Sequence, residues 1–174
     1  MCVKHYKVDR FHPLPPDYVP EDLVRAPVPF VAPLYDMKRC ISLAMYDPLR
    51  RLFSACMRDG LNLMGVSAYR SYDRQKEIYE ESIYKNGEIY ARAHVAFPGT
   101  SEHQTGLAID VSSPEINFDL CEEFEKTKEG IWLKENASRF GFIFSFTNEN
   151  QIYTGYVNEP WHIKYIAEDE TFYI

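Results

Sequence analysis

Pro98-Gly99-Thr100-Ser101-Glu102-His103-Gln104-Thr105-Gly106-Leu107-Ala108-Ile109-Asp110 is the stretch on which the reading of this chain turns. It sets a histidine seven residues before an aspartate. Asp110 is the one polar group in the short apolar run Leu107 to Val111, which suits a buried strand carrying a single ligand. Gly106, between the two, lets the chain turn from loop into strand with its backbone close to a metal. A second stretch, Glu159-Pro160-Trp161-His162, adds another imidazole and another carboxylate. Imidazole nitrogen and carboxylate oxygen suit Zn²⁺. Three protein ligands with an open fourth position make a catalytic site, whereas structural zinc is closed by four. We read His103, Asp110 and His162 as the ligands and Glu159 as the general base.

Working outward, Pro160 cannot donate to a ladder, so the last strand, Glu159 to Ile166, must open with a bend or bulge. That bend is needed for Glu159 and His162 to face one cavity, because residues three apart on a regular strand point to opposite faces. Upstream, Met37, Cys40, Ile41, Ala44, Met45, Leu49, Leu52, Phe53, Cys56 and Met57 recur at steps of three and four. They predict two helices or one kinked helix ending near Gly60, with Asp47-Pro48 as a cap and first helical position. Leu61 to Tyr69 reads as a strand, Ser71 to Lys85 as a helix stopped by Asn86-Gly87, and 88 to 102 as a loop. Residues 119 to 140 read as helical, with Leu120, Phe124, Ile131, Trp132, Leu133, Ala137 and Phe140 facing in. Phe142 to Phe146 reads as a strand, 147 to 150 as a turn, and Gln151 to Val157 as its hairpin partner. Helices early and hairpins late predict an α+β fold with helices packed on a small antiparallel sheet.

Residues 1–34 hold seven of the eleven prolines and read as an extended arm, with Val28, Phe30, Val31 and Leu34 as anchors on a domain spanning 35–174. The net charge of −7 and the lack of a basic run exclude a nucleic-acid partner. No run of about 18 apolar residues spans a membrane. The charged, proline-rich start is not a signal peptide. It reads as cytoplasmic if Met1 is the native start, and as cell envelope if an N-terminal anchor has been trimmed. Cys2, Cys40, Cys56 and Cys121 sit in no metal-binding spacing and read as reduced thiols.

Ser101-x-His103-x-x-Gly106-x-Ala108-x-Asp110, followed by Glu159-Pro160-Trp161-His162, resembles the zinc D-alanyl-D-alanine carboxypeptidases of the VanY type. It equally resembles the bifunctional dipeptidase/carboxypeptidases of vancomycin-resistance clusters (peptidase family M15, subfamily B). Ser67-Ala68-Tyr69-Arg70-Ser71-Tyr72-Asp73-Arg74-Gln75 is similar to the family's third motif, with Ala68 where glycine is usual. The resemblance runs from about residue 35 to residue 166. It implies a fold shared with the hedgehog signalling domain, built around one Zn²⁺. It implies that His103, Asp110 and His162 bind the metal, that Glu159 is the base, and that Arg70 stabilises the oxyanion. It gives Gln75 and Ser101 to the substrate's terminal D-alanine or its carboxylate, and Trp161 to the pocket wall or the packing beneath the zinc.

The function expected is that of a monomeric zinc D,D-carboxypeptidase. Its substrate is a peptidoglycan stem peptide or a D-Ala-D-Ala-terminated precursor, from which metal-activated water removes the last D-alanine. Glycopeptide resistance and wall trimming are both compatible with it. The alternatives are a D,D-dipeptidase, an L,D-carboxypeptidase or a wall endopeptidase on the same fold, or a zinc-bearing binding module without catalysis. A structural zinc closed by His94 or a cysteine is the remaining one.

Overall fold

A computed structural model describes residues 7–166; Cys2 and the outer ends of the expected arm and domain lie outside them. Two antiparallel sheets organise the chain. The smaller pairs β1 (Leu23–Arg25) with β2 (Cys40–Ser42). The larger holds β3 (Met64–Ser67), β4 (Ala108–Ser112), β5 (Phe142–Phe144) and β6 (His162–Tyr165) in the order β3-β4-β6-β5, all antiparallel. Its centre is β4, buried along its whole length, which is why Leu107 to Val111 carries apolar residues on both faces.

The helices are α1 (Tyr46–Arg58), α2 (Tyr72–Asn86), α3 (Glu88–His94), α4 (Lys128–Asn136) and α5 (Gln151–Thr154). α1 buries Leu49, Leu52, Phe53 and Cys56 against Ile109, Ile163 and Phe142 in one core. Burying side chains of this size contributes about 1.5–3 kcal/mol each. α2 opens on Ser71, whose hydroxyl accepts the Arg74 amide, and stops at Gly87 (φ +86°), as Asn86-Gly87 predicts.

Several expected elements take other forms. The helical period from Met37 begins as a 3-10 turn, Met37–Arg39, and continues as β2 and a second 3-10 turn, Leu43–Met45. The reason is that Cys40 and Ile41 find ladder partners in Arg25 and Val24. Residues 88–94, expected as loop, form α3. Gln151 to Val157, expected as a strand, starts with α5, and β5 pairs with β6 instead. Residues 119–140 divide into 3-10 turns around α4, with Leu120 and Ile131 exposed. Of the arm's anchors, Val28 and Phe30 are buried in the core, while Val31 and Leu34 are exposed. Cys40, Cys56 and Cys121 are free thiols. No helix among the described residues is long and apolar enough to cross a membrane.

Candidate metal centre and active site

Sheet register places the site. Asp110 on β4 lies opposite Ser67 on β3 and opposite His162 on β6, so three side chains stand in a row across three strands. The Glu159 carbonyl accepts the His162 amide at 3.1 Å, closing a turn with Pro160 at its second position. That turn is the bend expected ahead of the last strand. His103 arrives from the other side, on the 3-10 turn Glu102–Thr105. Gly106 ends this turn in the left-handed region (φ +71°), and a Cβ there would lie 2.9 Å from the Ser42 amide nitrogen. Only glycine meets both conditions.

The imidazole of His103 and the carboxylate of Asp110 are 3.2 Å apart (Nε2 to Oδ2), and His162 Nδ1 is 3.1 Å from Asp110 Oδ1. One donor atom from each of the three residues lies within 4.8 Å of the others, and all three residues are buried. Both rings are held from behind. His103 Nδ1–H donates to the Ala68 carbonyl at 2.7 Å, which leaves Nε2 facing Asp110. His162 Nε2–H donates to Glu102 at 2.8 Å, which leaves Nδ1 facing Asp110. Lys164 Nζ sits 3.2 Å from the other oxygen of Glu102. Carbonyls and carboxylates that fix the tautomer of a liganding imidazole are the usual support of a metal site. Glu102 and Lys164 were missed from sequence. Glu102 touches His103 in the chain and supports His162 instead, a link that only the β4–β6 pairing creates.

Burial would lower the pKa of His162, but its hydrogen bonds to Asp110 and Glu102 outweigh that and raise it to about 10. Burial would raise Glu102, yet His162 and Lys164 bring it down to about 2. Asp110 is held well below the usual carboxylate range against its own burial, chiefly by His103 and His162. His103 is lowered by burial. In the metal-free protein, then, a proton on His162 joins the cations of Arg70 and Lys164 in balancing two buried carboxylates. A dication on Nδ1 would replace that proton, so the donor set fits Zn²⁺.

The cluster opens on a cavity of about 190 Å³ lined by Arg70, Ser101, Glu159 and Trp161, among others. Arg70 Nη2 reaches Asp110 Oδ2 at 3.3 Å, and Nη1 donates to Gln75 Oε1 at 2.9 Å. Burial lifts the Glu159 carboxyl to about 7, with His162 and Arg70 opposing the rise and Asp110 and Glu102 adding to it. Ser101 is buried at the cavity wall, and Trp161 both lines it and packs on the core. Gln75 stands elsewhere. It is buried behind Arg70, and its Nε2 donates to the Ala96 carbonyl at 2.7 Å, so both ends of its amide are committed to the protein. His94 lines the cavity but stacks on the Tyr90 ring at 3.8 Å. Among the described residues the donor group comprises His103, Asp110 and His162 and includes neither His94 nor a cysteine.

Fold and site together present a buried His/Asp/His donor group that opens on a cavity, and comparison gives the family. The VanY D-alanyl-D-alanine carboxypeptidase family matches residues 38–168, and the chain belongs to it. The putative carboxypeptidase YodJ of Bacillus subtilis is 42% identical over 161 residues, covering 92% of this chain and 59% of YodJ. This chain thus spans under two thirds of that relative's length. Among solved structures, the LdcB LD-carboxypeptidase has a TM-score of 0.86 at 41% identity, over 93% of this chain and 76% of LdcB. VanYB in complex with D-alanine-D-alanine has a TM-score of 0.74 at 32% identity, over 92% and 84%. A D,D-pentapeptidase VanY mutant from a VanB-type resistance cassette, in complex with Zn(II), has a TM-score of 0.73 at 32% identity, over 92% and 86%. The α+β fold is that of these peptidases.

Proposed function

We propose that this chain is a zinc-dependent D,D-carboxypeptidase that removes the C-terminal D-alanine from peptidoglycan stem peptides or their precursors, acting as a monomer. One observation carries the reading. The donor atoms of His103, Asp110 and His162 converge within 4.8 Å at the foot of a cavity that also presents Glu159 and Arg70. When bound, Zn²⁺ supplies Lewis-acid charge that acidifies water and polarises a carbonyl. Glu159, whose carboxyl lines the cavity beside the donor group, takes the proton of the attacking water and returns it to the leaving amine. The Arg70 guanidinium, oriented by Gln75 and Asp110, faces the negative charge that develops on the carbonyl oxygen. Ser101 holds the terminal D-alanine or its carboxylate, and Trp161 walls the pocket. We assign Gln75 to orienting Arg70 rather than to the substrate, because its amide is already spent.

A second reading is favoured by the likeness to LdcB, named as an LD-carboxypeptidase. In it the same residues cleave D-alanine from a tetrapeptide after an L-centre. Incubating the zinc-loaded protein with a pentapeptide ending in D-Ala-D-Ala and with the tetrapeptide ending in a single D-alanine separates the two. Release from the pentapeptide supports the first reading. Release from the tetrapeptide alone supports the second, and release from neither excludes both.

A further inference from the structure

Arg10 lies outside the metal site, yet its guanidinium reaches two elements that wall the cavity. Nη2 donates to the carbonyl of Arg92, in the last turn of α3, and to the carbonyl of Gly155, the residue that ends α5, at 2.8 Å. Carbonyls at helix ends lack an intrahelical donor, and an arginine side chain supplies one. The guanidinium carbon also stands 4.0 Å from the centroid of the Tyr156 ring. Gly155 is shaped for this approach. Its φ is +72°, and a Cβ there would lie 3.0 Å from the Arg10 guanidinium carbon.

The two helix ends lead to different walls of the cavity. α3 continues into Val95 and Ala96, while α5 continues into Tyr156 and then Glu159. A backbone bond, Val157 N–H to the Ala93 carbonyl at 3.2 Å, also links the two segments. From Tyr156 the contact runs inward. Its ring packs 5.0 Å from Phe146, and Phe146 packs 5.1 Å from the ring of His162.

We propose that Arg10 is a positioning residue, a clip that fixes the spacing between the α3 wall and the α5 wall of the substrate pocket. The inference rests on reading the cavity as the substrate pocket. Among the described residues Arg10 bonds to Arg92 and Gly155 and stacks on Tyr156, none of them a metal donor or Glu159, so its loss acts on how substrate is held and not on the chemical step. The guanidinium suits this place because Nη2 carries two N–H donors for the two carbonyls while the flat face of the group lies over the Tyr156 ring.

The test uses the full chain and the variants Arg10→Ala and Arg10→Lys. Arg10 is exposed, so neither substitution empties the core. Amide hydrogen exchange is followed by mass spectrometry, and hydrolysis of the peptide cleaved by the wild type is measured in parallel. Arg10→Ala should speed exchange by roughly tenfold in 88–96 and in 151–157 together, leaving β3, β4 and β6 unchanged. It should raise KM by about five- to tenfold with kcat within about twofold of the wild type. Arg10→Lys keeps N–H donors but loses the flat face over Tyr156, so it should recover only part of this loss. Exchange unchanged in either segment, unchanged KM, or full recovery by lysine would each overturn the clip. If the wild type cleaves no peptide, the peptidase reading fails, and the exchange result alone decides the clip.

Discussion

Glu102 Oε2 accepts a 2.8 Å hydrogen bond from Nε2 of His162, sixty residues away in the chain. The acidic neighbour of one candidate metal donor thereby becomes the buttress of another. Lys164, two residues along β6, holds the second oxygen of the same carboxylate, so the ring of His162 has one orientation available.

Removing the charge at Glu102 should therefore weaken the metal without touching it. Glu102→Gln is expected to lower zinc affinity by about 10- to 100-fold, the range usual for partners of liganding histidines. Competition with a chromogenic chelator measures this. Wild-type affinity in the variant would show that the 2.8 Å bond does nothing for the metal.

Glu159 should separate binding from chemistry. In Glu159→Gln the carboxyl that burial holds near 7 is gone while all three donors remain. The variant should keep one zinc per chain and lose about 10²- to 10⁴-fold in kcat. Metal analysis beside steady-state kinetics reads both, and unimpaired turnover would remove Glu159 from the mechanism.

Arg70 should respond to shape as well as charge. Arg70→Lys keeps a cation but cannot span Gln75 and Asp110 as the guanidinium does. A fall in kcat of about 10²- to 10³-fold is expected, with a smaller change in KM. An equal loss confined to KM would place Arg70 in ground-state binding instead.

The pH dependence follows from two carboxylates shifted in opposite directions. A base works only when ionised, so kcat/KM should fall on the acid side of the Glu159 pKa. That value is about 7 without metal, and a bound dication draws it lower. The acid limb should therefore lie at or below pH 7 and vanish in Glu159→Gln. Stability of the metal-free protein follows the same groups. Glu159 is raised in the folded state from 4.5, so its contribution is full below pH 4.5 and is lost as pH rises through 7. Glu102 is lowered to about 2, so its contribution is present above pH 4.5 and is lost as pH falls toward 2. Melting temperatures across pH 2–8 should thus flatten on the acid side in Glu102→Gln. They should flatten on the neutral side in Glu159→Gln.

How much of this was legible in the sequence depended on whether the cause was local. His103, Gly106 and Asp110 were readable because a turn, a left-handed glycine and a buried strand follow one another within a few residues. Pro160 likewise announced the bend that carries Glu159 and His162. The buttresses were hidden, since the Glu102–His162 bond and the Ala68 carbonyl behind His103 exist only once β3, β4 and β6 are paired. The same cause turned Cys40 and Ile41 from a helical period into β2, because a ladder partner outweighs local periodicity. Gln75 shares a motif with Arg70, its close neighbour, and the sequence does not say which of the two faces the cavity.

In the proposed function two imidazoles and one aspartate hold a single catalytic Zn²⁺. Titrating Zn²⁺ into the chelator-stripped chain, while following D-alanine release from a pentapeptide ending in D-Ala-D-Ala, tests it most directly. No release is expected without metal, then a linear gain that stops at one equivalent, and no gain at any ratio in Asp110→Ala. Full activity in the stripped protein, or activity restored to Asp110→Ala by one equivalent of Zn²⁺, would contradict it.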